Sequence, residues 1–591
     1  MLSKKNTLKI LIIVIFLINI RNINADENNY TKGEYGYFID EYKNNTLYNQ
    51  TPQNNPTIGV LSQFLNIWIP TNNSEGGVKI NEEILDENIR KSIEITNRLS
   101  TKEKKEAYIT DRISQRYQAI DGLEEYSKKF KMKANAGTTI TEEIPIDAKD
   151  KVYIDLGNTA NLNMRGHWAD TNKYYSNIVK LINKLNQKES STAQSKQYYN
   201  YKRPFRWSQE VKVVEELIPT IRQNSAGKYS CGFPSGHTNS AYVSSLGLAY
   251  SVPEKYNDLL MNASKMSNSR INAGVHSPLD VMGGRVLATA LTASILNDNE
   301  ELIEKAYMDG RELTKGNVDK ESIETKIEKY KKNKPIYDYR LTYGFKKKEE
   351  IEKEASVPKG AEILIETRYP YMDKNQLRRV LESTVLESGY PLLDDKEGWG
   401  RINLFEAVNG YGEFKKDTYV NMNANQGGFN LEDAWLNDIE GSGKLIKEGS
   451  GKLIIAGNNS FTGGTEIEEG EIEIYSQKAL GNGYVINKSI LSENINGNIE
   501  INDDFIQTSQ GILKLNIKDE NDILKINGDA KLNGKLEIRI DKKYSLKDSM
   551  KIIDYKKLNK SSKFKVIKII DNGKYSSAEI IYKSDGVYIK K

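Results

Sequence analysis

The sequence predicts a multidomain chain: an all-α helical bundle followed by an all-β domain of β-solenoid type at the C-terminus. Three observations carry this. Ser240 to Ala249 and Val286 to Leu296 are nearly apolar all round and rich in small residues, as helices buried inside a bundle are. From about Gly441 the pattern changes to short strands of period two separated by Gly and Asn turns. The hexapeptide GSGKLI also occurs twice there, at Gly441 to Ile446 and Gly449 to Ile454. Repetition of a strand-turn unit favours a solenoid over a sandwich.

At the N-terminus, Lys4, Lys5 and Lys9 precede the apolar run Ile10 to Ile20, and a polar stretch ends in Ala25 before Asp26 and Glu27. This is the layout of a secretory signal peptide over residues 1–25, because the run is shorter than the roughly 20 residues of a spanning helix. A polar arm rich in Asn and Tyr, expected to pack loosely, occupies 26–57. Helical patterning over 58–300, as in Asn81 to Asn97 and Leu259 to Ser269, marks the bundle. Residues 301–357 are charged and predict a solvated helical extension; 358–436 are mixed in character, and 437–591 carry the β domain. No segment after the signal reads as long and apolar enough to span a bilayer, so a soluble mature protein is expected.

Composition narrows the function. A net charge of +4 over 591 residues leaves no electrostatic footprint for a nucleic-acid partner. The single cysteine, Cys231, excludes an internal disulfide and reads as a packing residue. No clustered His, Cys or Asp spacing fits a metal site, and no glycine loop fits a nucleotide, so neither metal nor cofactor is expected.

Three short motifs fall in the helical region. Lys196 is followed, after six residues, by Arg203-Pro204. Pro234-Ser235-Gly236-His237 comes next. Ser269-Arg270 is then separated by five residues from His276, and His276 by three from Asp280. Of three histidines, His167, His237 and His276, two lie in these motifs. In order and spacing they resemble the signature motifs of the type 2 phosphatidic acid phosphatase superfamily, which includes class A bacterial non-specific acid phosphatases and vanadium haloperoxidases. The likeness runs through CGFPSGHTNSAYVSSLGLAYSVPEKY and NSRINAGVHSPLDVMGGRVLATAL and covers about Ile58 to Asp298. Glu366 to Ala407 looks like an extension of some larger bacterial members. Separately, Gly457 to Ile474 (GNNSFTGGTEIEEGEIEI) resembles the passenger-associated repeats of bacterial autotransporters. Unlike an autotransporter, the chain closes on Tyr588-Ile589-Lys590-Lys591 with no recognisable membrane barrel, so unaided passage across an outer membrane is not expected.

The first resemblance implies an exported phosphomonoesterase of acid-phosphatase type, acting without metal on a small phosphate monoester. It implies that His276 is the nucleophile and forms a phosphohistidine, that Asp280 orients its far ring nitrogen, and that His237 is the general acid. Lys196, Arg203 and Arg270 would neutralise a phosphoryl group whose charge spreads over three oxygens, with the arginines making forked contacts. Ser235 would add a hydroxyl donor, and Gly236 would let a backbone N–H approach. A helix running from Ser235 to Tyr250 would aim its N-terminal N–H groups at the anion. Three readings compete at the level of function. The cup could hold vanadate for halide oxidation, the enzyme could be a membrane lipid phosphatase, or the chain could be a surface adhesin or spacer with the helical domain as cargo. The residues also have plainer roles open to them. Ser277, Pro278 and Asp280 have the pattern of a helix cap; Arg270 could pair with a structural carboxylate; Lys196 and Arg203 could lie on a solvated basic-aromatic surface. Lys202 and Arg206 are expected to be solvated, and His167 to be structural.

Overall fold

The computed structural model describes residues 36–71, 76–158, 168–225, 231–316, 321–348, 352–545, 549–559, 562–571 and 573–590. The signal segment and His167 lie outside them. The chain divides into two units: a helical one, reaching to Asp319 and adding 333–367 and 386–402, and a β unit of 320–332, 368–385 and 403–591.

In the helical unit, caps and amphipathic stripes set the element ends. α1 (Glu82–Asn97) starts where the Asn81 side chain accepts the Ile84 N–H, and α2 (Thr101–Arg112) starts at a Ser100–Glu103 capping box. α3 (Ser176–Leu185) buries Ile178, Val179, Leu181, Ile182 and Leu185 along one stripe. The short α4 (Ala193–Tyr199) follows. α5 (Gly236–Ser251), α6 (Tyr256–Asn272) and α7 (Pro278–Asn297) form the centre, with α5 and α7 buried on almost every side. Their hydroxyls bond back to carbonyls one turn earlier, as Ser251 does to Gly247 and Thr292 to Ala288. That satisfies polar groups which would otherwise be costly inside an apolar packing.

Three expectations are corrected here. α7 runs 20 residues and, by length and hydropathy alone, is able to cross a membrane, yet its apolar window is fully buried in the unit. Sequence starts this helix late, at Val286, because Gly283-Gly284 and the polar cap interrupt the apolar run. The arm described from residue 36 is packed, not loose. Phe38 and Tyr42 are buried, and the buried Asn45 amide donates to the Glu189 and Ser191 carbonyls. The charged stretch after α7 is helical, but α8 (Glu300–Thr314) buries Ile303, Ala306 and Leu313 and so is solvated on one face only.

In the β unit the main strands, in chain order, are β1 (Thr418–Asn421), β2 (Glu432–Trp435), β3 (Leu445–Glu448), β4 (Lys452–Ile455), β5 (Thr465–Ile467), β6 (Glu471–Ile474), β7 (Val485–Asn487), β8 (Ile490–Glu493), β9 (Phe505–Gln507), β10 (Ile512–Ile517), β11 (Leu524–Lys531), β12 (Lys535–Ile540), β13 (Ser549–Leu558) and β14 (Val566–Asp571). Odd strands pair in parallel in one sheet and even strands in parallel in the other, so the chain alternates sheets as it winds. This is the β-solenoid the sequence predicts. Its first coil begins at Thr418, upstream of the expected boundary.

Leu445 faces Thr465, Thr465 faces Val485, and Val485 faces Phe505, a step of 20 residues each time. The two GSGKLI copies are therefore the two strands of a single coil, one in each sheet, not successive coils. Inside, Leu453, Ile472, Leu491, Leu513 and Leu536 stack rung on rung, all buried. At one corner Gly463 recurs 20 residues after Gly443, and a Cβ on Gly463 would lie 2.4 Å from the Gly443 carbonyl carbon, so the corner admits no side chain. Outside, charges of opposite sign face each other across rungs, as in Lys444–Glu466 (2.7 Å) and Lys452–Glu473 (2.7 Å). Leu491→Ala should remove a methyl cluster from the middle of the interior column and cost the solenoid about 2–5 kcal/mol. Chemical denaturation followed through the sheet signal should show its midpoint fall; an unchanged midpoint would mean the column is not tightly packed.

Candidate active site

An aromatic framework sets the first half of the site. The Phe64 and Phe233 rings stack at 3.9 Å, and Phe64 meets Tyr199 and Tyr201 edge-on. The Trp68 indole N–H donates to the Tyr199 carbonyl at 2.8 Å. Tyr199 and Tyr201 of the basic-aromatic stretch are thus core, and they pin its two motif cations inward. Lys196, on α4, is 9% exposed, and its Nζ donates to the Cys231 and Gly232 carbonyls at 2.9 and 3.0 Å. Arg203 Nη1 donates to the Val275 carbonyl at 2.7 Å and lies 3.1 Å from His276 Nε2. Lys202 rests over the Trp207 ring. Arg206, expected to be solvated, lines the same cleft as Arg203.

The second half comes from three helix ends. Ser235 caps α5 by accepting the Thr238 N–H, and its own N–H donates to the Asp280 carbonyl at 2.8 Å. A Cβ on Gly236 would sit 3.0 Å from Thr192 Oγ1 and 4.0 Å from Lys196 Cε, so glycine keeps the start of α5 close to α4. α6 ends in the residues that hold Arg270, and Gly274 at φ 74° turns the chain back. The His276 N–H then donates to the Arg270 carbonyl. α7 opens with Ser277 as cap, Pro278 first and Asp280 third, closing a capping box. Gly284 lets α7 approach the Ser235 loop: a Cβ there would fall 2.7 Å from the Ser235 carbonyl oxygen.

His276 is 1% exposed and held at both ring nitrogens. Nδ1 lies 3.2 Å from Asp280 Oδ2, the oxygen that also accepts the Ser277 N–H at 2.8 Å. Arg203 can only donate, so its contact makes Nε2 the acceptor and puts the proton on Nδ1, facing Asp280. The cap role and the orienting contact of Asp280 therefore coexist. Arg270 does pair with a carboxylate, that of Asp111 on α2, and still lines the cleft alongside Arg203 and His237. Asp111 also takes Arg112, and neither residue is signalled by the motifs. Arg270 Nε has no partner among the described groups.

The electrostatics are those of a crowded positive cup. Burial, then Arg203, Lys196 and Arg270, push the His276 imidazole well below its ordinary value, so it is neutral. Burial and Arg270 lower His237 to about 3. Burial and Arg203 lower Lys196, and burial and Arg270 bring Arg203 down to about 10. Burial raises Asp280. Burial would raise Asp111 too, but Arg270 and Arg112 outweigh it and hold it well below the usual carboxylate range. Cations that depress one another in this way are relieved by an anion among them. Among the described residues, no group of three or more His, Cys, Asp or Glu side chains is placed to hold a metal ion.

Two stretches of the chain match known families. Residues 180–303 match the PAP2 superfamily, and residues 445–474 match the passenger-associated-transport-repeat. Among curated proteins, the chain is 33% identical over 126 residues to the Neisserial autotransporter lipoprotein NalP of Neisseria meningitidis serogroup B, covering 20% of this chain and 11% of that one. It is 30% identical over 164 residues to an extracellular serine protease of Serratia marcescens, covering 22% and 16%. It thus spans only about a tenth to a sixth of the length of these relatives. With Lys196, Arg203, Ser235, His237, Arg270, His276 and Asp280 all inside the matched span, residues 180–303 are a PAP2 superfamily domain, and a passenger-associated-transport-repeat follows it in the same chain.

Proposed function

We propose that the helical unit is a phosphomonoesterase that works through a phosphohistidine on His276. The supporting observation is the clamped imidazole: Asp280 holds the protonated Nδ1, Nε2 carries the lone pair, and Arg203 sits 3.1 Å from that nitrogen. A phosphate monoester binds among Lys196, Arg203 and Arg270 and draws Arg203 onto its own oxygens. Nε2 attacks phosphorus, the P–O ester bond breaks, and His237 gives its proton to the leaving alkoxide. The imidazolium that develops is stabilised by Asp280. A water then attacks the phosphohistidine, His237 takes its proton, the N–P bond breaks, and inorganic phosphate leaves.

His237 is depressed to about 3, chiefly by burial and Arg270, so a bound dianion must raise it before it can act as an acid. The activity of an acid is lost as pH rises through its pKa. The alkaline loss should therefore fall at a higher pH in kcat, which reports the complex, than in kcat/KM, which reports the free enzyme. His237→Asn should cost about 10²–10⁴ in kcat/KM, which reports the first step, with an alkyl phosphate and much less with a nitrophenyl phosphate, whose leaving group needs no proton. Equal losses with both substrates would remove His237 from the acid role.

The reading as a whole is tested by assaying a chromogenic phosphomonoester in the presence of a chelator, with vanadate as inhibitor. Vanadate-dependent halide oxidation without ester hydrolysis would overturn it. The relatives named above are an autotransporter and an extracellular enzyme, and we place this chain, like them, outside the cytoplasm, with the β unit serving surface association.

A further inference from the structure

The β unit carries a second concave site, remote in kind from the catalytic cup. Four successive coils and the segment around Glu324 and Lys331 enclose a groove of about 480 Å³, within the roughly 300–1,000 Å³ of small-molecule sites. Its floor is built where β4, β6, β8 and β10 end, so each coil adds side chains at the same corner: Asn458, then Tyr475 to Lys478, then Asn494 and Asn496, then Lys518. Coils stack at about 4.7–4.9 Å, so these groups form a ladder and not a single point.

The chemistry of the ladder is specific. Side-chain amides offer paired donors and acceptors, which suit hydroxyl groups. Tyr475 keeps its phenol bonded to the Asn494 amide at 2.8 Å and so supplies a fixed ring. Ser476 donates to Asn458 at 2.8 Å, and Lys518 Nζ donates to Asn494 Oδ1 and the Ile495 carbonyl, at 3.1 and 2.9 Å. The polar groups are thus pre-positioned by one another.

Charge sets this corner apart from the rest of the solenoid. On the outer faces, lysines are paired with glutamates on neighbouring rungs: Lys444 with Glu466, Lys452 with Glu432 and Glu473, Lys488 with Glu468, Lys514 with Glu471. In the groove, Lys331, Lys478 and Lys518 have no carboxylate at ion-pair distance among the described residues, and Glu324 is the single acid in the lining. Three ammonium groups with no carboxylate in direct ion-pair contact, and only longer-range attraction from Glu493 and Glu500, stand beside a row of amides and call for a ligand that is both hydroxyl-rich and negatively charged.

We propose that this groove binds an anionic oligosaccharide, a glycan carrying carboxylate or sulfate groups, laid along the coil axis with its hydroxyls on the amides and its charges on Lys331, Lys478 and Lys518. A neutral glycan would leave the lysines unanswered, and a nucleic acid would find one ring where it needs a row of stacking faces.

The test uses the full chain and a fluorescent heparin-derived oligosaccharide, followed by anisotropy, with a dextran oligosaccharide of equal length and a single-stranded oligonucleotide as competitors. Saturable binding that dextran and the oligonucleotide do not displace is the expected result. The double variant Lys478→Gln/Lys518→Gln should weaken it by at least about tenfold. Asn496→Ala should weaken it as well, while turnover of a phosphate ester stays unchanged in both. Arg203→Ala in the catalytic cup should leave glycan binding intact, which separates this site from the other cationic pocket. Equal binding by wild type and the double variant, or equal displacement by the oligonucleotide, would overturn the proposal.

Discussion

His276→Ala should take phosphomonoester turnover down by about five orders of magnitude or more. The expectation rests on what the imidazole alone supplies. Removing a nucleophile that acts as one unit with its partners costs nearly as much as removing the whole set, about 10⁶ in a well-studied protease. What remains is binding in the cationic cup, which positions the ester with nothing to attack it. Loss of activity by unfolding is distinguishable. His276 packs in a loop tied by its own backbone to Arg270, and α7 is capped by Ser277 and Asp280, so the helical signal should persist. The direct readout is a trapped intermediate: labelled substrate, quenched in alkali, should leave acid-labile phosphate on the wild-type chain and none on His276→Ala. Label retained by the variant, or turnover within tenfold of wild type, would exclude His276 as the acceptor.

The second large effect is expected for Asp280→Asn. The substitution keeps volume and removes the charge. It also removes the carboxylate that holds the proton on Nδ1 once the substrate has drawn Arg203 away from Nε2, since an amide nitrogen can donate to Nδ1 instead. The imidazole would then present an N–H at Nε2, where a lone pair is needed. A change of this type costs about 10⁴ in kcat in an enzyme whose histidine is oriented by a carboxylate, and about 10³–10⁴ is expected here. KM should move little, because Lys196, Arg203 and Arg270 are untouched. Asp280→Glu should not rescue, since Oδ2 already sits at 2.8 Å from the Ser277 N–H and a Gly232 Cβ would fall only 2.7 Å from it. A kcat within tenfold of wild type for Asp280→Asn would show that Asp280 serves the helix cap alone.

The sequence shows the site unevenly, for physical reasons. Arg270, His276 and Asp280 are legible because a helix end, a tight turn and a helix start bring residues four to ten apart together, so short spacing encodes the geometry. Asp111 is not legible. It pairs with Arg270 across 159 residues, and α2, reading TKEKKEAYITDR, looks like any solvated charged helix. Nothing local distinguishes the one acid that turns inward from the others that do not. Arg206 is misjudged for a related reason: Pro204 turns the chain just after Arg203, and the short helical turn Pro204–Arg206 brings both arginines to one cleft. In the β unit the alternation of apolar residues is plain, but the coil length is hidden. The repeat that catches the eye is eight residues apart and belongs to one coil, whereas the spatial repeat, 19 or 20 residues from Leu445 to Ile490 and longer in the later coils, is carried by single residues such as Gly443 and Gly463. The long α7 is obscured because the glycines that let it pack closely also break its apolar pattern.

The winding of the β unit has a consequence for how its length can change. Excising Thr465 to Tyr484 would remove one rung from each wall at once and bring Leu445 opposite Val485, with Gly443 still meeting Gly463 at the corner. Inward side chains would stay inward along the whole stack. Taking out half as many residues would leave one wall a strand short of the other and strand a row of backbone donors. Such a molecule is in effect quantised: it can grow or shrink in steps of one full lap, and intermediate lengths are closed to it.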